Sequence, residues 1–315
     1  MPLFEQETQK IPSTLLKDRF GWPPFSILNT ISGEWQKRKS DWNKIIQDST
    51  LGRDTRRYNA TPTNIFSSRG ADAKEPQSIS TFDPYLCELM YRWFSVDGST
   101  VLDPFAGGVV RGAVAAILGR NYFGIDLSPE QVAADIGQYA SICEKYSNIS
   151  GECCWIQGDS EKVLPTVDKK YGMVFTCPPY YNLERYTYEP GELSRLPSYE
   201  AFIEKYTSIL KLTAERLEDN SFFVIVVSEV RETFKDVARS NYVGLVPDTI
   251  HILRDECFLH YYNEIILENA VGSLPVRVPR SFVKTRKVGR QHQNVLVFYK
   301  GDIREIENKF GKENF

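Results

Sequence analysis

The sequence predicts an α/β fold built on a mainly parallel sheet of seven strands, with helices on both faces, an antiparallel pair at one edge and an N-terminal extension. Three observations predict it. From Phe82 onward, short apolar runs rich in strand formers alternate with segments of helical period, the order that gives right-handed crossovers and parallel pairing. The run YGMVFTCPPYY, from Tyr171 to Tyr181, breaks out of its apolar stretch through Pro178 and Pro179, two residues with fixed φ and no backbone donor. Three other strand ends carry an acid or a glycine loop, at Asp103, Asp126 and Asp159.

Composition bounds the rest. At 315 residues, with 42% hydrophobic and 25% charged residues, the chain can bury a core and reads as one elaborated domain. The expected division is an extension over 1–80, a main domain over 81–301 that includes a basic insert at 269–293, and a tail over 302–315. A net charge of -3 gives no global pull toward polyanions, so any such contact must be local. No apolar run reaches membrane-span length, and MPLFEQETQK lacks the basic-then-apolar order of a signal peptide, so a cytoplasmic protein without a membrane partner is expected. Six cysteines without a CxxC pair and three histidines at no ligand spacing predict neither a metal site nor disulfides.

In chain order, GEWQKRKSDWNKII predicts a helix with Trp35, Trp42, Ile45 and Ile46 at apolar spacings and Lys37, Arg38, Lys39 and Lys44 on its polar side. The stretch that follows, with Arg53, Arg56 and Arg57, reads as a long polar loop. Cations among aromatic rings suit either contact with nucleic acid or a solvated helix packed by its tryptophans on the main domain. DPYLCELMYRWF predicts a helix, STVLDPF a strand, GGVVRGAVAAILG a helix closed by Gly119, and NYFGIDL a second strand. SPEQVAADIGQYASICEKY predicts a helix with Ser128 as N-cap and Pro129 at its first position. CCWIQGD, GMVFTC and SFFVIVVSEV predict further strands, with the long helix SYEAFIEKYTSILKLTAERL before the last of them. YYNEIILEN and QNVLVFYKG predict the antiparallel edge pair.

The strand ends also carry the candidate ligand site. In VLDPFAGGVVRG a strand stops at Asp103, Pro104 and Phe105 follow, and Gly107 and Gly108 lead at once into a helix, where small residues and free N–H groups admit a carboxylate or phosphate. The order does not match the GxGxxG dinucleotide fingerprint. About twenty residues on, Asp126 and Leu127 close the next strand, an acid suited to ribose hydroxyls. Asp159 and Ser160 close the third.

DPFAGG, GIDLS, QGDS and TCPPYY, in this order, resemble the cofactor loop, ribose acid, adenine-ring acid and catalytic loop of S-adenosylmethionine-dependent DNA methyltransferases of the amino-methylating group, phage and prophage types included. PPFSILNT, GEWQKRKSDW, VGSLPVRVPR and RKVGRQHQNVLVFYKGD extend the resemblance over most of the chain. It implies a Rossmann-like methyltransferase fold, S-adenosyl-L-methionine as cofactor and DNA as partner. The glycine loop GGVVRG departs from the commoner GxG form, and Cys177 stands where the group has Asp, Asn or Ser.

That cysteine leaves two chemistries open. A base methylase must take its target out of the stack. Tyr180 could then stack on the base while carbonyls near Thr176 to Pro178 accept from an exocyclic amino group, at N6 of adenine or N4 of cytosine. Thiols accept weakly. Alternatively, a Cys177 thiolate adds to carbon 6 of cytosine for methylation at carbon 5, with Glu229 as the nearby acid and Arg231 beside it. The insert carries Arg277, Arg280, Lys284, Arg286, Lys287 and Arg290 with no acid, the best candidate for phosphate contact. RNA as substrate and an inactive DNA-binding methylase fold are the remaining readings.

Overall fold

Alternation along the strands decides where each lies. In β5 (Tyr171–Thr176), β6 (Leu217–Val227) and β8 (His292–Lys300), successive side chains are apolar in both directions. Phe175, Phe222, Val224 and Val297 belong to one buried cluster, while Val174, Phe223, Ile225 and Phe298 belong to another. Strands with no polar face need cover on both sides, and this puts them mid-sheet. The computed structural model describes residues 20–47, 81–181, 189, 191–231 and 241–311. Its sheet adds β1 (Ile27–Asn29), β2 (Thr100–Asp103), β3 (Asn121–Asp126), β4 (Cys153–Gln157) and β7 (His260–Glu268). The order is β1-β7-β8-β6-β5-β2-β3-β4. Among these strands, β8 alone runs against its neighbours, β6 and β7; every other pair is parallel. The doubly wound, Rossmann-like sheet expected from the sequence is therefore present.

Two details differ from expectation. The sheet has eight strands rather than seven. The extra one is β1, from the N-terminal extension, and a three-residue strand is too short to show a period. It pairs parallel with β7, so the antiparallel pair β7 and β8 does not form the sheet edge.

One face is covered by α1 (Gly33–Ile45), α2 (Pro84–Phe94), α3 (Val110–Ile117) and α4 (Pro129–Lys145). The other carries α5 (Ser160–Val163), α6 (Tyr199–Arg216) and α7 (Leu245–His251), which runs on into a π-helical turn at Ile252–Glu256. Asp83, Ser128, Asp159 and Ser198 cap α2, α4, α5 and α6 through side-chain oxygens that accept from first-turn N–H groups. Each cap stabilises its helix by about 1 kcal/mol.

The N-terminal helix packs on the main domain. Trp35 and Trp42 are buried against it. Glu88 of α2 accepts from Arg38 at 2.8 and 2.9 Å, from Trp42 Nε1 at 2.6 Å and from Arg92 at 3.0 Å. Lys39 pairs with Asp83 at 3.0 Å. Two of the helix's cations thus serve α2. Arg53, Arg56 and Arg57 lie outside the described residues. At the other end of the chain, α9 (Ile306–Phe310) lies against the sheet, with Phe310 at 5.6 Å from the Phe222 ring and Lys309 donating to Ser221 at 2.6 Å. Among the described residues no helix is long and apolar enough to cross a membrane.

Candidate active site

A cavity of about 510 Å³ runs along the carboxyl edge of the sheet, within the range of small-molecule sites. Its wall takes residues at or just beyond the ends of seven strands: Thr30 after β1, Leu267, Asn269 and Ala270 at β7, Gln293 at the start of antiparallel β8, Cys177 to Tyr180 after β5, Pro104, Phe105 and Gly107 after β2, Asp126 to Ser128 at β3, and Gly158 to Ser160 after β4.

The β2 loop is built from within. Asp103 is fully buried and accepts from Arg111 Nε at 2.5 Å, Thr176 Oγ1 at 2.6 Å, Tyr122 OH at 2.8 Å and Phe105 N at 3.1 Å. Arg111, from α3, also donates through Nη2 to the carbonyls of Phe105 and Ala106, at 2.6 and 2.9 Å, and lies 4.6 Å from the Phe82 ring. Burial opposes its charge, yet the Asp103 carboxylate beside it, together with Tyr122 and Cys177 nearby, outweighs burial and holds the guanidinium above its ordinary pKa. Asp103, expected to face the ligand, is instead the strut under the loop, because all its partners lie inside the fold. Gly108 is likewise buried and does not line the cavity. Pro104, Phe105 and Gly107 do.

Gly107 takes φ 53, a left-handed conformation that glycine adopts without strain. Its N–H donates to Asp126 Oδ2 at 2.9 Å, and Ser128 N donates to Oδ1 at 2.8 Å. Asp126 is thereby held at the cavity wall, oriented as an acceptor, with Leu127 beside it. Asp159 also lines the cavity, but its Oδ2 is 2.6 Å from Lys205 Nζ of α6 and its Oδ1 accepts from Glu161 N at 3.1 Å. Ser160 donates to the Pro104 carbonyl at 2.5 Å and ties the β2 and β4 loops together. The chain after the Pro-Pro-Tyr turn returns over this end: at Gly191 (φ 101) an added Cβ would stand 2.6 Å from Asp159 Oδ2. A cradle of this kind, with backbone close to an oriented acid, fits a nucleoside with vicinal hydroxyls.

Cys177, Pro178, Pro179 and Tyr180 all reach the same cavity. The Tyr180 ring is almost wholly enclosed, and its hydroxyl accepts from Gln293 Nε2 at 3.0 Å.

Glu229 and Arg231 do not join them. β5 and β6 are neighbours, as expected. The Glu229 carboxylate nevertheless turns away and accepts from Val246 N at 3.0 Å and Gly244 N at 3.2 Å, capping α7. An acid meets the unpaired N–H groups and positive end of a helix favourably. Arg231 lies 3.8 Å from the Tyr242 ring. The sequence placed both beside Cys177 because strand adjacency fixes backbone neighbours but not the direction of a side chain beyond the strand's end.

The insert also differs from the expected loop. It forms α8 (Leu274–Thr285), with Arg286 in the left-handed conformation as its C-cap. Arg280, Lys284 and Arg286 are exposed. Arg290 is only partly exposed, donates to the His292 carbonyl at 3.0 Å and bonds Asn294 Oδ1. It therefore braces the root of β8. The side chain of Arg277 and, within NLERYTYEPGELSRLPS, residues 182–188 and 190 lie outside the described residues.

Sequence reasoning missed Arg111, Lys205, Gln293 and the cavity wall contributed by Thr30 and Gln36, and named Lys39 only as one cation on a polar helix face. Arg111 had a legible signal, a cation in the first turn of the helix that follows an acid-ended strand. The others sit on polar faces with nothing local to mark them.

No protein-family model matches the chain, and no curated protein matches it. Among solved structures, the chain is similar to TrmN from Thermus thermophilus, at 15% identity over 70% of this chain and 50% of that one, with a TM-score of 0.45. It is similar to a precorrin-6y C5,15-methyltransferase from Geobacter metallireducens GS-15, at 10% identity over 74% of this chain and 95% of that one, with a TM-score of 0.43. It is also similar to a second Thermus thermophilus protein, TTHA0409, named as a DNA modification methylase and crystallised with S-adenosyl-L-methionine, at 23% identity over 46% of this chain and 54% of that one, with a TM-score of 0.35. With each of these TM-scores below 0.5, the likenesses are consistent with the sheet but say nothing of what this chain binds.

Proposed function

We propose that the chain is an S-adenosylmethionine-dependent methyltransferase acting on a flipped-out DNA base, with an exocyclic amino nitrogen as the target. The observation that carries this reading is the shared cavity: the Pro178-Pro179-Tyr180 platform opens into the same space as the Gly107 loop, Asp126 and Asp159. Two reactants held side by side need little more than alignment, and positioning of this kind can supply about 7–11 kcal/mol of a barrier.

When bound, S-adenosylmethionine supplies an electrophilic methyl group. The chain's own residues do the rest. Asp126 accepts from vicinal hydroxyls, and the loop under Gly107 is held rigid by Arg111. Tyr180 offers a ring face for the base, and the hydrogen bond from Gln293 anchors the hydroxyl end of that side chain. Carbonyls of the Cys177 to Pro178 stretch accept from the target amino group and leave its lone pair toward the methyl. Exposed Arg280 and Arg286 neutralise phosphate beside the cavity. Carbon-5 chemistry lacks support at this site, because the acid it would use, Glu229, is committed to the N-terminus of α7.

The test is transfer of labelled methyl from S-adenosylmethionine to unmodified DNA and to RNA, followed by hydrolysis and identification of the methylated nucleoside by mass. N6-methyladenine or N4-methylcytosine in DNA is expected. Cys177→Ser should keep activity or raise it, since a hydroxyl accepts better than a thiol. Recovery of 5-methylcytosine, with Cys177→Ser inactive, would overturn the amino reading; label in RNA alone would overturn DNA as substrate.

A further inference from the structure

Helix α8 is inverted relative to an ordinary surface helix. Leu274 and Val278 form its inner row, against Gly289, where an added Cβ would stand 2.5 Å from Val278 and 2.9 Å from Leu274. The opposite side should be polar. Instead Val276 is 64% exposed and Val283 is 72% exposed. They share one stripe with Arg280, at helical spacings of four and three. Phe282, 40% exposed, continues the Leu274–Val278 row toward the helix's C-terminus, with the Arg286 guanidinium 5.4 Å from its ring. No acidic residue occurs between Glu268 and Asp302, so the face is apolar and cationic together. The helix hangs directly from the cavity wall: Ala270 lines the cavity before it and Gln293 after it.

Phosphate neutralisation explains exposed cations but gives no reason to expose two valines. Apolar side chains pressed between base steps do, because they fill the gap left by an unstacked base and hold the duplex open. We propose that α8 is a wedge helix: Arg280, Lys284 and Arg286 seat it on the phosphates of a nucleic-acid duplex, and Val276 and Val283 press into the base stack beside the nucleotide that enters the cavity. This rests on the reading of the cavity as a base-methylation site, and it adds the element that opens the duplex.

The two sets of side chains have different signatures. Each phosphate contact contributes to the slope of log Kd against log salt, by about 0.9 per contact, whereas apolar contact contributes affinity that salt does not screen. The experiment measures fluorescence anisotropy of a labelled random-sequence DNA duplex of about two helical turns over a salt series, with thermal melts to verify folding. Val276→Ser/Val283→Ser should raise Kd by about fivefold to twentyfold at every salt with an unchanged slope, the range expected for losing two apolar contacts. Arg280→Ala/Lys284→Ala should flatten the slope by about two units. An unchanged Kd for the valine variant, with the wild type binding duplex normally, overturns the wedge and leaves the methylation reading standing. Binding of the wild type to vesicles of phosphatidylglycerol but not to duplex overturns it in favour of a membrane-surface helix. Absence of methyl transfer to any nucleic acid, with duplex affinity and the valine effect intact, would instead sink the reading of the cavity.

Discussion

Replacing Arg111 with Met should remove more stability than any other single change near the cavity. The substitution keeps much of the side chain's volume and deletes its charge. It leaves Asp103, with no exposed surface, holding a carboxylate whose remaining donors are Tyr122 OH, Thr176 Oγ1 and Phe105 N. It also strips the Phe105 and Ala106 carbonyls of their Nη2 donor. Breaking a buried pair from one side costs about 3–5 kcal/mol, against a total stability on the order of 5–15 kcal/mol. Urea unfolding followed by circular dichroism measures this, for Arg111→Met, Asp103→Asn and the double variant. Since the double variant leaves no buried charge unpaired, its cost should fall short of the sum by about 2 kcal/mol. Additive costs, or an Arg111→Met variant within about 1 kcal/mol of wild type, would refute the strut. So would an Asp103→Asn variant of unchanged stability that loses only cofactor affinity, since that is the behaviour of a ligand.

Asp126→Ala should weaken S-adenosylmethionine binding by roughly 1–3 kcal/mol in calorimetry, through lost hydrogen bonds to hydroxyls and a loosened Gly107 loop; unchanged affinity in a folded variant would remove Asp126 from the site. Glu88 gives a pH prediction: burial alone would raise its carboxyl, but hydrogen bonds from Arg38 and Trp42 win and lower it from 4.5. A depressed carboxyl contributes stability that is fully present above the unfolded value and is lost as pH falls through the folded one. Glu88→Gln should therefore cost about 1–2 kcal/mol at pH 7, toward the low end because Arg38 is partly exposed and screened, and the gap in melting temperature should close below about pH 4.5; a constant gap from neutral pH down to about pH 3 would contradict it.

Much of the core was legible because the signals there are periodic. Met173 to Phe175 and Phe222 to Val227 have nowhere to go but mid-sheet, and Ser128 announces its helix by cap chemistry. Four strand-end features that the sequence singled out, Gly107, Asp126, Asp159 and the Pro-Pro-Tyr turn, do line one cavity. What failed were side-chain directions outside regular structure. Asp103 and Asp126 look alike in sequence, each an acid closing a strand, and the buried donors Arg111, Tyr122 and Thr176 draw the first inward. Glu229 has the right strand neighbour, but the nearest helix N-terminus claims it. In the insert, Gly272, Pro275, Pro279 and Gly289 read as loop punctuation. Pro275 stands in the first turn of α8, where its missing N–H costs nothing, and Pro279 lies inside the helix.

The N-terminal extension changes what counts as the domain. β1 pairs with β7 at Ile27 to Asn29, and the Thr30 hydroxyl donates to the Glu268 carbonyl at 2.6 Å. This fixes Thr30, Gln36 and Lys39 in the wall that also holds Leu267, Asn269 and Ala270. The carboxyl edge therefore has two chemically different ends. Those of β2, β3 and β4 offer a glycine loop, the Asp126 carboxylate suited to hydroxyls, and Asp159, paired with Lys205. The far end offers the carboxamides of Gln36, Asn269 and Gln293, which both donate and accept and so match the mixed edge of a base. Tyr180 joins the two, since its backbone follows the prolines of β5 while its hydroxyl is held from β8. A chain cut to begin at residue 81 would keep the hydroxyl end and lose part of the other. Its α2 would also bare the surface that Trp35 and Trp42 now bury and leave Glu88 without Arg38, so the extension is a structural part of the site.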